Sequence, residues 1–155
     1  MFAMLTAAWF MGCGKSDNEL RSLMREEIAL ASAKSFVTSG QTIGPYSPAV
    51  KVGNLVFVSG QIGIDQSTNL VGSDIESQTR QALTNLGNIL AQAGCDSSDV
   101  VQCTVYLKDM KEFPKMNLIY GGYFSDGKYP ARATVEVANL PKNAVVEIAC
   151  IAVKD

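Results

Sequence analysis

A long amphipathic segment in the middle of the chain constrains the fold most. Its spacing predicts a helix from Ser73 to Ala93, with Ser73 and Glu76 as a capping box and Gly94 as the stop. The apolar residues recur every three or four positions along one face: Ile75, Ala82, Leu83, Leu86, Ile89, Leu90 and Ala93. Such a helix has to bury that face, so we expect it to cover a sheet.

Segments that alternate with period two flank this helix and supply the sheet. Ala49–Val52 and Leu55–Ser59 enclose a Gly53-Asn54 pair, which is typical of a tight hairpin turn. The segment Val100–Leu107 alternates apolar and polar side chains, which indicates a strand with one packed face.

A second helix and two further strands complete the predicted order. Asp109 and Glu112 give a capping signal for a helix that ends near Phe124, although Pro114 lies too deep for the first helical position if Asp109 is the cap. The final strands are 131–138 and 144–153, which we interpret as a pair. This order predicts an α+β domain with two helices on one sheet face, and we expect self-association to cover the other face.

Composition excludes several kinds of chemistry. The chain of 155 residues contains no histidine, which removes Ser-His-Asp triads, Cys-His dyads and zinc sites that use histidine. The net charge is −2 and no basic run occurs, so a nucleic-acid partner is disfavoured. The cysteines form no C-x-x-C pair, and Cys103 and Cys150 lie in apolar runs as expected of buried free thiols.

The sequence pattern of residues 1–33, an apolar run followed by a polar stretch, differs from that of the rest of the chain. These residues are predicted to lie outside the main domain, 34–155. The apolar run 2–11 is too short to span a bilayer as a helix. Together with Gly12 and Cys13 it is similar to a bacterial lipoprotein signal of residues 1–12, in which Cys13 is lipidated. The alternative is a simple N-terminal extension. Ser16 and Glu19 then give a capping box for a helical linker that ends near Ala33.

Arg132 and Glu147 are charged residues in the otherwise apolar final strands. Alternation places Arg132 with Thr134 and Glu136, on the face opposite to Ala133, and Glu147 lies among valines and an isoleucine. Burying a charged side chain is costly unless the charge is paired with an opposite charge or binds a ligand, so two interpretations of Arg132 and Glu147 stay open. One is an Arg132–Glu147 ion pair between neighbouring strands. The other is an anion site, since a guanidinium can hold a carboxylate through two parallel hydrogen bonds.

Five sequence blocks in order, which span about 41–153, resemble the Rid family of imine deaminases and its RidA branch in particular. They are IGPYSPAV, VFVSGQI, QTRQALTNLGNIL, VYLKDMKEFPKMNLIY and YPARATVEVANLPKNAVVEIACIAV. The resemblance implies a chorismate-mutase-like fold and a homotrimer with active sites in the clefts between subunits. It implies hydrolysis of 2-imino or enamine acids to 2-keto acids and ammonia. It implies no metal or organic cofactor and a cytoplasmic location beside pyridoxal-phosphate-dependent dehydratases.

The resemblance also assigns roles to individual residues. Arg132 matches the arginine that holds the substrate carboxylate, and Glu147 matches the glutamate that orients water or transfers a proton. Thr134 stands where some relatives carry cysteine, which excludes thiol chemistry there. Tyr46, Ser59 and Gly60 match the wall of the cleft, and Asn117 matches a polar residue on the second helix. Tyr120, one turn further along that helix, is expected to pack nearby as a further substrate-binding residue.

Two other functions compete with hydrolysis. A member of this fold can bind small carboxylates without turning them over, and the presence of both Arg132 and Glu147 argues against that reading. RNA cleavage or translation inhibition, which is sometimes attached to the family, is disfavoured by the acidic balance and the missing histidines.

Overall fold

The structure, a computed structural model, describes residues 16–31, 33–38, 42–65, 72, 74–124 and 127–154. The chain divides into two compact units, 1–33 and 34–155. In the first unit, helix α1 (Asp17–Ala31) begins with the predicted capping box: the Ser16 amide donates to the Glu19 carboxylate at 2.8 Å, and the Glu19 amide donates to the Ser16 hydroxyl at 3.4 Å. The proposed signal and Cys13 lie outside the described residues.

The described part of the second unit contains a six-stranded mixed sheet. Its strands follow the spatial order β1-β2-β3-β6-β4-β5, in which β4 and β5 are parallel and all other neighbours are antiparallel. Their bounds are β1 (Lys34–Val37), β2 (Ala49–Val52), β3 (Leu55–Ile62), β4 (Val100–Leu107), β5 (Ala131–Glu136) and β6 (Val146–Val153).

Helices α2 (Ile75–Ala93) and α3 (Phe113–Tyr123) cover one face of this sheet and enclose the core. The apolar face predicted for the first of them is buried, and Met116 and Tyr120 of α3 join the same core. The prediction of an α+β domain with a mixed sheet and two helices on one face is therefore confirmed.

The start of α2 differs from the prediction by one residue. Asp74 is the N-cap, and its carboxylate accepts from the Ser77 amide at 2.8 Å. Ser73 lies outside the described residues, and Glu76 is in the first turn. A carboxylate at the cap interacts favourably with the positive end of the helix dipole. Gly94 ends the helix with φ 80°, a conformation that favours glycine, as predicted.

Two amide side chains of α2 are buried, although neither belongs to the apolar face that the sequence pattern predicts. Gln78 is 3% exposed and Asn85 is 4% exposed. Asn85 donates to the carbonyl oxygens of Ile62 and Ile64, at 3.0 and 2.9 Å. The Gln78 side-chain oxygen accepts from the Val145 amide at 2.9 Å. These amides therefore satisfy backbone groups where β3 ends and just before β6 starts.

The start of α3 explains the position of Pro114. Asp109 caps a separate 3₁₀ turn, Met110–Glu112, by accepting from the Lys111 amide at 2.8 Å. The α-helix then starts at Phe113, so Pro114 occupies its first turn, where its missing N–H has no intrahelical partner to lose.

The prediction that the last two strands pair with each other is wrong. β4 lies between β5 and β6, pairing in parallel with β5 and antiparallel with β6. The connection β4–α3–β5 is a crossover through a helix, as parallel strands require. β1, which the sequence analysis did not predict, is the other edge of the sheet.

The face of the sheet opposite the helices carries exposed apolar side chains. Phe36 is 58% exposed and Phe57 is 43% exposed. Cross-strand register places Phe36, Val50, Phe57 and Ile151 in one row on this face. We call it the open face. In the part of the chain that the structure describes, no helix is long and apolar enough to cross a membrane.

Candidate functional site

Arg132 lies on the edge strand β5, on the sheet face that α3 covers. Its side chain is exposed, and its partner in the parallel ladder is Cys103 in the core. The guanidinium carbon is 4.5 Å from the ring centroid of Tyr120 and 5.5 Å from that of Phe113. Two cation–π contacts of this kind hold the guanidinium against α3, and no acceptor among the described residues binds its N–H donors, which suit an anion.

A cavity of about 330 Å³ lies beside this guanidinium. Six residues line it: Asn117, Tyr120, Gly121, Tyr129, Pro130 and Arg132. The cavity therefore brings together three of the predicted site residues, Arg132, Asn117 and Tyr120. A positive fork on one side and mostly aromatic or backbone walls on the other suit a small organic anion.

Sequence reasoning missed Phe113, Gly121, Tyr129 and Pro130. Helical periodicity could have found Phe113 and Gly121. Phe113 precedes Asn117 by four residues and Gly121 follows it by four, so both share one face of α3 with Asn117 and Tyr120. Tyr129 and Pro130 directly precede β5, so their position depends on where that strand pairs.

Burial changes the ionisation of the groups around Arg132. The pKa of Tyr120 is raised well above its usual value by burial and then by the Cys103 thiol beside it, so the phenol stays neutral. Burial also raises the pKa of Cys103.

Thr134 lies two residues beyond Arg132 on the same face of β5, and its buried hydroxyl has no hydrogen-bond partner among the described residues. We call Arg132, Asn117, Tyr120 and Thr134 the arginine cluster.

Glu147 lies on β6 between Val146 and Ile148, which are both fully buried, so alternation turns the carboxylate to the open face. It packs directly over Gly60 of β3. A Cβ atom built on Gly60 would lie 2.7 Å from Cδ and 2.9 Å from Cγ of Glu147. A side chain at position 60 would therefore force the Glu147 carboxyl to move from this position.

The other predicted residues lie around the same strand. The Ser59 hydroxyl donates to the Ser47 carbonyl at 2.7 Å, and the Ser59 amide donates to the Pro48 carbonyl at 2.9 Å. These bonds fix the loop that carries the exposed Tyr46 to the middle of β3. We call Tyr46, Ser59, Gly60 and Glu147 the glutamate cluster.

Burial raises the pKa of Glu147 above its ordinary value. A carboxyl group with a raised pKa is a stronger base when it is ionised and holds a proton more readily, which suits it to proton transfer near neutral pH. In the part of the chain that the structure describes, no cluster of three or more cysteine and acidic side chains could hold a metal ion.

The two clusters do not meet within one chain. The ladder partner of Arg132 is Cys103 and that of Glu147 is Tyr106, and residues three apart on β4 point to opposite faces. Among the described residues neither charge takes part in an ion pair. The interpretation of Arg132 and Glu147 as an ion pair between neighbouring strands is therefore wrong, because the prediction of the strand order was wrong.

The fold and the cavity define a class: a small α+β protein in which one helical layer covers a mixed sheet and an arginine beside α3 is suited to an anionic ligand. Residues 37–154 match the family model described as Endoribonuclease L-PSP. The chain therefore belongs to this family, which is the YjgF/RidA or Rid family.

Individual relatives and structures agree with this assignment. A RutC family protein of Pyrococcus horikoshii is 53% identical over 73% of this chain and 90% of its own length. The 2-iminobutanoate/2-iminopropanoate deaminase of Mus musculus is 44% identical over 87% of this chain and 96% of its own. The crystal structure of Escherichia coli TdcF with bound serine matches with a TM-score of 0.75 and 34% identity, covering 78% of this chain and 99% of that one.

Proposed function

We propose that this protein hydrolyses reactive 2-imino and enamine acids, such as 2-iminopropanoate and 2-iminobutanoate, to 2-keto acids and ammonia. The observation that carries the proposal is the exposed guanidinium of Arg132, held on two aromatic rings beside a cavity suited to a small organic anion. The deaminase name of mammalian relatives at 43–44% identity supports the reaction class.

Arg132 binds the substrate carboxylate through two parallel hydrogen bonds and so fixes the orientation of the C=N bond. Glu147 orients a water molecule and accepts a proton from it as the water oxygen bonds to the imine carbon. The C=N π electrons pass to nitrogen, which takes up the proton that Glu147 accepted. The carbinolamine then gives its hydroxyl proton back through Glu147 to nitrogen, and ammonia leaves as the C–N bond breaks and the C=O bond forms.

This mechanism needs two copies of the chain, since the arginine and glutamate clusters lie on opposite sheet faces. We propose a homotrimer in which the arginine cluster of one subunit faces the glutamate cluster of the next. The exposed apolar row on the open face supports an assembly that buries this side of the sheet. In a cyclic trimer such a contact repeats three times and closes.

We further propose a cytoplasmic location, because the dehydratases that release such imines act there. Lipidation of Cys13 is the alternative. Mass spectrometry of the native protein distinguishes the two: an unmodified N-terminal peptide supports the first, and a diacylglyceryl group on Cys13 supports the second.

A coupled assay tests the reaction. A serine or threonine dehydratase generates the imine in situ, and the rate of 2-keto acid formation is measured with and without this protein. We expect Arg132→Ala to abolish the acceleration while the oligomer stays intact, and Arg80→Ala, on the exposed side of α2, to retain it. Equal acceleration by wild type and Arg132→Ala would contradict the proposal. Binding of 2-keto acids without any acceleration would favour a carboxylate-binding module.

A further inference from the structure

The cavity beside Arg132 contains a glycine that packing does not require. Gly121 lies inside α3 and lines the cavity. A Cβ atom built there would meet only the Tyr129 hydroxyl, at 4.0 Å, so the fold leaves room for a side chain. Glycine within a helix is about 1 kcal/mol less favourable than alanine, which makes a glycine without a packing reason notable.

The position of Gly121 relative to Arg132 gives the glycine a functional reason. Both residues line one cavity, so a ligand whose carboxylate is held by Arg132 extends its other end along the wall that Gly121 forms. That wall consists of the backbone of Gly121, the Tyr129 ring and Pro130, and none of these three residues is charged. Arg132 is the one charged residue among the six that line the cavity.

We propose that Gly121 opens a side-chain subsite, so that this protein prefers 2-imino acids with apolar side chains larger than ethyl over 2-iminopropanoate. This inference rests on the proposed function and adds the substrate class. Tyr129 forms the outer wall of the subsite, and its exposed ring contacts the substrate side chain. A larger residue at position 121 fills the subsite and leaves room for the carboxylate and a methyl group.

The chain provides a matched control in the next residue. Gly122 belongs to the same helical turn and is exposed, and a Cβ atom built there meets nothing within 4 Å. It does not line the cavity. The same substitution at positions 121 and 122 therefore changes helix propensity equally and fills the subsite in one case alone.

The test compares two substrates generated by an amino-acid oxidase with catalase, the 2-imino acids from leucine and from alanine. We expect wild type to have the higher kcat/KM for the leucine-derived imine. Gly121→Leu should lower the ratio of the two kcat/KM values about tenfold or more, as expected when a hydrophobic pocket loses room for several carbon atoms. Gly122→Leu should keep the wild-type ratio.

Gly121→Ala should give an intermediate ratio, and it keeps the inference testable if leucine disturbs assembly. An unchanged ratio in an assembled Gly121 variant, or a wild type that prefers the alanine-derived imine, would overturn the subsite. A second readout separates the subsite from hydrolysis: the Kd values of pyruvate and 4-methyl-2-oxopentanoate, measured by calorimetry. If wild type has no turnover, the proposed function fails. A shift of the Kd ratio in Gly121→Leu would then still support the subsite, and an unchanged Kd ratio would overturn it.

Discussion

Arg132 and Glu147 lie on opposite faces of the sheet, and strand β4 lies between the two strands that carry them. Each has its own neighbourhood: Arg132 contacts the rings of Phe113 and Tyr120, and Glu147 packs over Gly60. The proposed reaction, in which one substrate touches both side chains, therefore places the substrate between two copies of the chain.

Mixing two inactive variants tests this shared site. We expect Arg132→Ala and Glu147→Gln to be inactive alone and to recover activity when they are unfolded together and reassembled. In a cyclic assembly mixed at random, roughly a quarter of the interfaces combine an intact arginine cluster with an intact glutamate cluster. The measurement is the coupled dehydratase assay on the mixture.

The control for this mixture is each variant carried through the same unfolding and reassembly alone. Activity that stays at the level of the separate variants, although mass spectrometry detects mixed oligomers, would show that one chain provides both groups.

Arg132→Lys should lower kcat/KM about tenfold to a hundredfold with the charge retained. Lysine lacks the planar fork, and one charge-assisted hydrogen bond contributes about 1.5–3 kcal/mol. The coupled assay measures the loss, and Arg80→Lys on the exposed side of α2 serves as the matched control. Full activity of Arg132→Lys would mean that a point charge suffices and that the fork has no role.

Phe57→Glu should dissociate the proposed trimer. Phe57 is at the centre of the apolar row on the open face, and a charge there is costly to bury in an interface. Sedimentation velocity at micromolar concentration should give a smaller species than wild type. Leu118→Glu is the control, since Leu118 is 78% exposed on α3 and away from the open face. An intact oligomer in Phe57→Glu would exclude the open face as the interface.

Asn85→Ala should destabilise the protein by about 1–3 kcal/mol, since it removes two hydrogen bonds, one to the buried carbonyl of Ile62 and one to the part-buried carbonyl of Ile64. Urea unfolding at neutral pH measures the change in the free energy of unfolding. Asn88→Ala, three residues further along α2 and exposed, should be neutral or slightly stabilising because alanine is the better helix former. Equal stability of the two variants would mean that the Asn85 bonds contribute nothing net.

Glu147→Gln should change the dependence of stability on pH. Burial raises the pKa of Glu147 in the folded state above the ordinary value of 4.5, so the folded chain binds this proton more tightly than the unfolded chain. Below 4.5 both states are protonated and the carboxyl contributes no difference. As the pH rises through the window from 4.5 to the raised pKa, the unfolded chain ionises first and the folded state loses stability.

We therefore expect Glu147→Gln to be more stable than wild type at pH 7 and to approach it in acid, as measured by thermal unfolding across that range. Glu26→Gln, on the exposed surface of α1, is the control. A difference between wild type and Glu147→Gln that is the same at every pH would show that the carboxyl does not titrate differently on folding.

Local signals in the sequence predicted most of the elements. The stop of α2 at Gly94, the Ala49–Leu55 hairpin and the alternation around Arg132 all follow from residues close together in the chain. The order of the strands did not follow, because β6 pairs with β3 and β4, which are distant in sequence, and because alternation tells which residues share a face and not which strands are neighbours.

The same limit applies to the site. The family pattern identified Arg132 and Asn117, and helical spacing from Asn117 indicated Tyr120; the structure brings all three to one cavity. The ion pair of Arg132 and Glu147 depended instead on the assumption that their strands are neighbours, and the alternation of side chains within each strand cannot test that assumption. The burial of Asn85 was missed because its hydrogen-bond acceptors, Ile62 and Ile64, become visible only once β3 is docked on α2.

The position of β6 has a consequence for how the chain folds during synthesis. The last strand of the domain to be translated lies third from one edge and joins β1-β2-β3 to β4-β5. Until Val146–Val153 has left the ribosome, these two groups of strands share no ladder, and the strand edges that β6 will occupy stay open. The nascent domain therefore completes its sheet late, and its exposure to aggregation ends with its final eight-residue strand.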